Sequence, residues 1–79
     1  MPSVIFLDAP EFRPFIDALD RQGGHERTAA VGYVAFEKAE PIEIRRADTG
    51  LDEAVWFGGL VAGFSGEMEI FDEEILRIR

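Results

Sequence analysis

The stretch VIFLDAPEFRPFIDALDRQGG, residues 4–24, decides the fold class. Val4, Ile5, Phe6 and Leu7 form a short apolar run suited to a buried strand. Asp8 then stands where a helix cap belongs, with Pro10 in the first turn and Glu11 at the positive end of the helix dipole. Phe12, Phe15, Ile16 and Leu19 follow at i, i+3, i+4 and i+7, which is one apolar stripe along a helix. Arg13, Asp17, Asp20 and Arg21 take the other side. Pro14 falls early enough that its missing N–H costs little. Gln22-Gly23-Gly24 ends the run, with glycine supplying a left-handed cap. The spacing predicts a strand and then a helix over 10–21.

Downstream, the residue patterns favour strands. Thr28 to Phe36 reads as one long strand with Val31, Tyr33 and Ala35 on one side and Val34 and Phe36 on the other. A strand apolar on both faces belongs in the middle of a sheet or under a helix. Lys38 to Pro41 makes a turn, and Ile42 and Ile44 alternate with Glu43 and Arg45 as in a half-exposed strand. Asp48-Thr49-Gly50 is a second turn signal. Leu51 to Phe64 is open to two readings. Leu51, Val55, Leu60 and Phe64 allow a helix, but Gly58, Gly59 and Gly63 would each cost about 1 kcal/mol in a helix interior. Two strands, Ala54–Phe57 and Leu60–Phe64, joined at Gly58-Gly59 as a tight hairpin, are therefore expected. Ser65-Gly66 turns the chain, Glu67 to Ile70 alternates as a strand, Asp72-Glu73-Glu74 is a charged loop, and Ile75 to Ile78 is a last strand. The expected fold is α+β: one helix packed on a single-layer antiparallel or partly mixed sheet of four to six strands, with residues 1–79 as one compact domain.

Composition narrows the function classes. Seventy-nine residues, 47% of them hydrophobic and seven of them Phe, are too apolar for a disordered acidic tail. The lack of cysteine removes thiolate metal sites and thiol catalysis and fits a cytoplasmic setting. Met1 to Leu7 lacks the basic flank and length of a signal-peptide core. No segment approaches the length of a membrane span. A net charge of −8 argues against nucleic acid or an anionic membrane as a direct ligand.

Reactive constellations are excluded mainly by counting. The one histidine, His25, reads as a solvated turn residue, and only Ser3 and Ser65 offer a hydroxyl nucleophile of the serine type. Ser65 lacks the G-x-S-x-G spacing of a nucleophile elbow. Gly58, Gly59 and Gly63 imitate a phosphate loop, but no Lys-Ser/Thr follows and the surroundings are acidic. Asp72-Glu73-Glu74 offers hard oxygens without the loop pattern of a calcium site. No catalytic residue, metal site or cofactor is expected.

The strongest signal is electrostatic. From Ala47 to Leu76 the chain carries eight of its sixteen carboxylates and no Lys or Arg. These are Asp48, Asp52, Glu53, Glu67, Glu69, Asp72, Glu73 and Glu74. Solubility alone usually intersperses both signs, whereas a single-sign field selects partners of opposite charge. Glu67 and Glu69 would project from one strand face about 6.6 Å apart and continue into 72–74 as a negative ridge. Trp56 and Phe57 point to opposite faces if they lie on a strand, so one of them offers an anchor beside the acids. The eight acids and Trp56 make up the expected partner-binding face.

A compact, cysteine-free, strongly acidic domain of this size without a catalytic motif resembles the small anti-CRISPR proteins of phages and mobile elements. The resemblance is one of type across the whole chain. No motif is shared, and no residue role carries over. It implies a non-enzymatic inhibitor that mimics DNA and occupies the basic nucleic-acid-binding surface of a partner protein or ribonucleoprotein, a type I Cascade complex above all, inside a bacterial host cell. Two other classes remain open. One is an acidic accessory or antitoxin-like subunit that neutralises a basic protein without mimicking nucleic acid; the other is a small-ligand or metal module.

Overall fold

The computed structural model describes residues 1–79. Strand β1 (Ser3–Leu7) leads through a 3-10 turn at Pro10–Phe12 into helix α1 (Arg13–Gln22). Strands β2 (Glu26–Ala30), β3 (Tyr33–Glu37) and β4 (Ile42–Arg45) follow, then two short helices, α2 (Arg46–Thr49) and α3 (Glu53–Phe57). Strands β5 (Phe64–Ser65), β6 (Met68–Phe71) and β7 (Ile75–Ile78) complete the chain. The fold is α+β, as expected. All pairings are antiparallel, including both neighbours of β1. The strands form two sheets instead of a single layer: one of four strands in the order β2-β3-β1-β5 and one of three in the order β4-β7-β6.

Three local expectations are corrected. Asp8 does not cap the helix, because its carboxylate pairs with Arg13 at 2.8 Å. The long strand over 28–36 is a hairpin, with Ala30 opposite Tyr33 and a turn at Val31-Gly32. Gly32 holds φ +85° at the second central position, as a type II turn requires. The hairpin expected over Ala54–Phe57 and Leu60–Phe64 is absent. Glu53–Phe57 is a helix, 58–62 is turn, and only Phe64–Ser65 pairs as a strand, against β1. Asp52 decides this locally: its side chain accepts the Val55 N–H at 3.0 Å and so caps α3. Gly58 stands at the helix end and Gly59 beyond it, so neither pays the interior penalty that weighed against a helix.

Thirteen buried residues form one cluster. The α1 stripe supplies Phe15, Ile16, Ala18 and Leu19, with Phe12 half-buried at its rim. Val4 and Phe6 from β1 and Val34 and Phe36 from β3 line the inner face of the larger sheet. Ile42, Ile44, Leu76 and Ile78 line that of the smaller one, and Trp56 closes the cluster from α3. The Phe15 ring stacks on Phe6 (centroids 4.9 Å apart) and on Trp56 (5.5 Å). Gly59 lies directly against that ring, and a Cβ there would enter it.

Phe15→Ala should therefore cost about 3–5 kcal/mol, close to the whole stability of so small a domain. Gly59→Ala alone should cost about 1–3 kcal/mol through overpacking. The double variant should be less destabilised than the sum of the two, because the cavity left by Phe15 receives the new methyl. Urea denaturation of the four proteins checks this, and additive effects would mean that the two residues are not in contact.

Candidate protein-binding surfaces

The acids expected to form one face are distributed among several tasks. On the outer side of the smaller sheet, charges alternate across three strands. Arg77 of β7 bonds Glu69 of β6 at 2.8 Å and Glu43 of β4 at 3.0 Å. Arg79 bonds Glu67 at 3.0 Å and approaches Glu69 at 3.9 Å. These contacts raise the pKa of both arginines above the ordinary value, with the bonds to Glu69 and Glu67 as the largest causes. The two arginines that follow the acidic stretch thus fold back onto it.

Asp52 and Asp72 act on the backbone. Asp52 caps α3. Asp72 Oδ1 accepts the N–H groups of Glu74 and Ile75, both at 2.9 Å, and these bonds hold its carboxyl below the usual range. Asp48, Glu53, Glu73 and Glu74 are exposed and form no ion pair. Arg46 ties their segments together through backbone atoms: its guanidinium donates to the carbonyls of Glu73 and Leu51. The structure brings Glu73 and Glu74 to a shallow concavity beside Arg45 and Arg46, so basic groups border the ridge.

Trp56 is not a surface anchor. It is fully buried, and its indole N–H donates to the Asp72 carbonyl at 2.6 Å. On a helix, unlike a strand, adjacent residues diverge by about 100°, so burying Trp56 leaves Phe57 at the rim. Phe57 is 46% exposed, packs on Phe71 at 5.3 Å between centroids, and lies near the acidic loop that begins at Asp72. Sequence reasoning named the pair but chose the other member.

A second surface had no sequence signal as a site. The outer face of the larger sheet carries Ile5 and Leu7 of β1, Tyr33 and Ala35 of β3, and Thr28 and Ala30 of β2 in register, with Ser3, Glu37 and Glu26 continuing the same face at the other end of these strands. Most of these residues, with Ala62, line a shallow uncharged concavity. Val31 at the hairpin tip is 99% exposed. The apolar outer side of the expected 28–36 strand was its trace in the sequence, read there as burial.

The groups considered for reactivity take structural positions. The Ser3 and Ser65 hydroxyls bond each other at 2.6 Å. No cluster of three or more His, Cys, Asp or Glu side chains is arranged to hold a metal ion, and no helix is long and apolar enough to cross a membrane. His25 is not the solvated turn residue expected. Both ring nitrogens are buried without a hydrogen-bond partner, and the ring stands edge-on to Phe36 at 5.7 Å. Burial, reinforced by Lys38 and opposed by Asp20, pushes its pKa below 6.5.

No protein-family model matches the sequence, and neither does any curated protein. Among solved structures, the chain is similar to one in the complex of phenol hydroxylase with its regulatory protein. The TM-score is 0.81 at 12% identity, over 99% of this chain and 95% of that one. Coverage of nearly all of both chains means that the matched chain is about as long as this one, and it is the regulatory protein. The likeness shows a shared fold.

His25 gives a pH test of this geometry. Its pKa is lower folded than unfolded, so the unfolded chain binds the extra proton. Stability should be full above about pH 6.5, the ordinary value, and should fall as pH drops below it. His25→Phe should remove that decline. The separate loss at lower pH should remain, as Asp72 is protonated below its ordinary range and releases its two N–H groups. Melting temperatures followed by circular dichroism between pH 8 and 3 check this, and an unchanged profile for His25→Phe would rule out a buried neutral imidazole.

Proposed function

We propose that the chain is a non-enzymatic regulatory protein that acts by binding a larger enzyme, in its specific form a hydroxylase. The observation that carries this reading is the agreement of fold with the regulatory protein of the phenol hydroxylase complex over nearly the full length of both chains. The surfaces agree with it. A small domain with an uncharged concavity on its sheet face and an exposed Phe57 has more to offer a protein partner than a substrate.

A second reading rests on a separate observation. Asp48, Glu53, Glu73 and Glu74 are exposed and form no ion pair on a chain of net charge −8. Such a set supports docking on a basic surface, and in its specific form DNA mimicry of the anti-CRISPR kind inside a bacterial host cell. The pairing of Glu67 and Glu69 with Arg79 and Arg77 makes that ridge shorter than the sequence implied.

Capture of the partner by the tagged chain from a lysate of the source organism, followed by reconstitution, separates the two. A regulator should change the turnover of the captured enzyme, saturate at a stoichiometric ratio and show no turnover alone. Phe57→Ala should weaken this complex by about 1–2 kcal/mol, read as a roughly five- to thirtyfold higher half-saturation concentration. A mimic should instead exclude nucleic acid from the captured protein, with association slowing as salt rises from about 0.05 to 0.5 M. Charge reversal at Glu53, Glu73 or Glu74 should slow that association further. An enzyme whose turnover is unaffected by the chain would overturn the first reading. A stable ternary complex with nucleic acid at both salts would overturn the second.

A further inference from the structure

β2 ends the four-stranded sheet, with β3 on one side and no strand on the other. Hydrogen-bond parity identifies its free backbone groups. Asp8 N–H donates to the Gly32 carbonyl at 2.9 Å and Lys38 N–H to the Pro2 carbonyl at 3.3 Å. The bonded pairs of the β1–β3 ladder are therefore Val4 with Phe36 and Phe6 with Val34. Tyr33, Ala35 and Glu37 turn their N–H and C=O toward β2, where Ala30, Thr28 and Glu26 face them. The N–H and C=O of Arg27 and Ala29 consequently point off the open edge. All five residues of β2 are exposed, and the strand has no proline, lysine or bulge to blunt that edge.

We propose that β2 pairs with β2 of a second copy of this chain, antiparallel across a two-fold axis at Thr28, joining the two larger sheets edge to edge. A two-fold edge requires that residue i face residue j while j faces i. With Arg27 and Ala29 as the outward-bonding positions, the axis can pass through Arg27, Thr28 or Ala29. An axis at Arg27 sets that arginine against its own copy, a like-charge pair. An axis at Ala29 carries Arg27 beyond the strand, opposite Val31 of the turn. The axis at Thr28 uses all of β2. It pairs Thr28 with Thr28, Arg27 with Ala29 and Glu26 with Ala30, so no like charges stand opposite and the threonines form a favourable cross-strand pair. Each Arg27–Ala29 pair exchanges both of its N–H···O bonds. The outer faces of the two sheets then run on continuously through Thr28, with Glu26 of each copy beside Ala30 of the other.

The charge balance sets the sign of the salt dependence. Two copies of net charge −8 repel at long range, and salt screens that repulsion beyond a Debye length of about 8 Å at physiological ionic strength. The dimer should therefore tighten as salt rises, opposite to docking on a basic partner. Sedimentation equilibrium of the full chain from about 10 µM to 1 mM, the range expected of a small interface, should show monomer and dimer at about 0.5 M salt and less dimer at 0.05 M. Ala30→Lys, which faces Glu26 of the other copy twice per dimer, should tighten association about three- to tenfold, and Ala30→Glu should weaken it by a similar factor. Ala29→Pro removes one outward N–H from each copy, at a position where an edge strand tolerates proline, and should leave a folded monomer. If that variant fails to fold, the opposite shifts of the two Ala30 variants still decide. The proposal is overturned by a parent that stays monomeric at 1 mM, by Ala30 variants that shift association the same way, or by a dimer that survives Ala29→Pro.

Discussion

Phe15 lies between Phe6 on one side and Trp56 on the other, and the two sheets depend on this stack for their common core. Phe6 belongs to β1 in the middle of the larger sheet, while Trp56 reaches through its indole N–H to the Asp72 carbonyl at the β6–β7 turn. The helix ring is the wedge that joins them. Aromatic stacking adds about 0.5–1.5 kcal/mol per pair beyond burial. Its larger effect is geometric, because it sets the depth at which α3 sits and places Gly59 against the ring. Neither sheet is large enough to bury its own inner face, and a domain of this size has little stability to spare.

Once the inner faces are committed, the two outer faces differ sharply. The smaller sheet turns outward a ladder of alternating sign, Glu43–Arg77–Glu69, whose charges satisfy one another. The larger sheet turns outward a surface that is apolar toward Leu7, Tyr33 and Ala30, carries Glu26 and Glu37 at its other end, and stops at an open strand edge. Within the acidic stretch, Asp48, Glu53, Glu73 and Glu74 keep exposed carboxylates with no ion pair, and Glu11, Asp17, Glu26, Glu37 and Glu40 are unpaired elsewhere on the molecule. A partner approaching this protein therefore meets three kinds of surface. One is a ladder of paired charges, one is sheet-like and apolar over most of its area, and one is a short acidic rim beside Phe57. The proposed roles as enzyme regulator and self-associating chain draw on the second and on Phe57, whereas a nucleic-acid mimic depends on the rim.

Periodicity made the α1 stripe legible in the sequence, because Phe12, Phe15, Ile16 and Leu19 recur at the helical repeat and admit one burial face. Alternation did the same for β4 with Ile42 and Ile44, and Gly23 marked the end of α1. Residues 51–64 were misread because the penalty on glycine holds for helix interiors, whereas Gly58 and Gly59 follow a helix of five residues. The decisive signal, Asp52 followed at three residues by Val55, was present but is common among loops. At the candidate site, the pairing of Glu67 and Glu69 was illegible because charge runs are counted along the chain and ion pairs form across strands.

What the sequence by itself determined is local: an α+β composition, one amphipathic helix, the strand positions whose alternation is unbroken, and a net negative charge that repels nucleic acid. What only the tertiary structure decided is which side chains share a surface. It split the strands into two sheets, buried Trp56 and exposed Phe57, folded Arg77 and Arg79 back onto the acids, and left the edge of β2 open. The physical reason is one of range. Backbone propensity and capping act within a few residues, while burial, ion pairing and sheet closure depend on contacts between segments far apart in the chain.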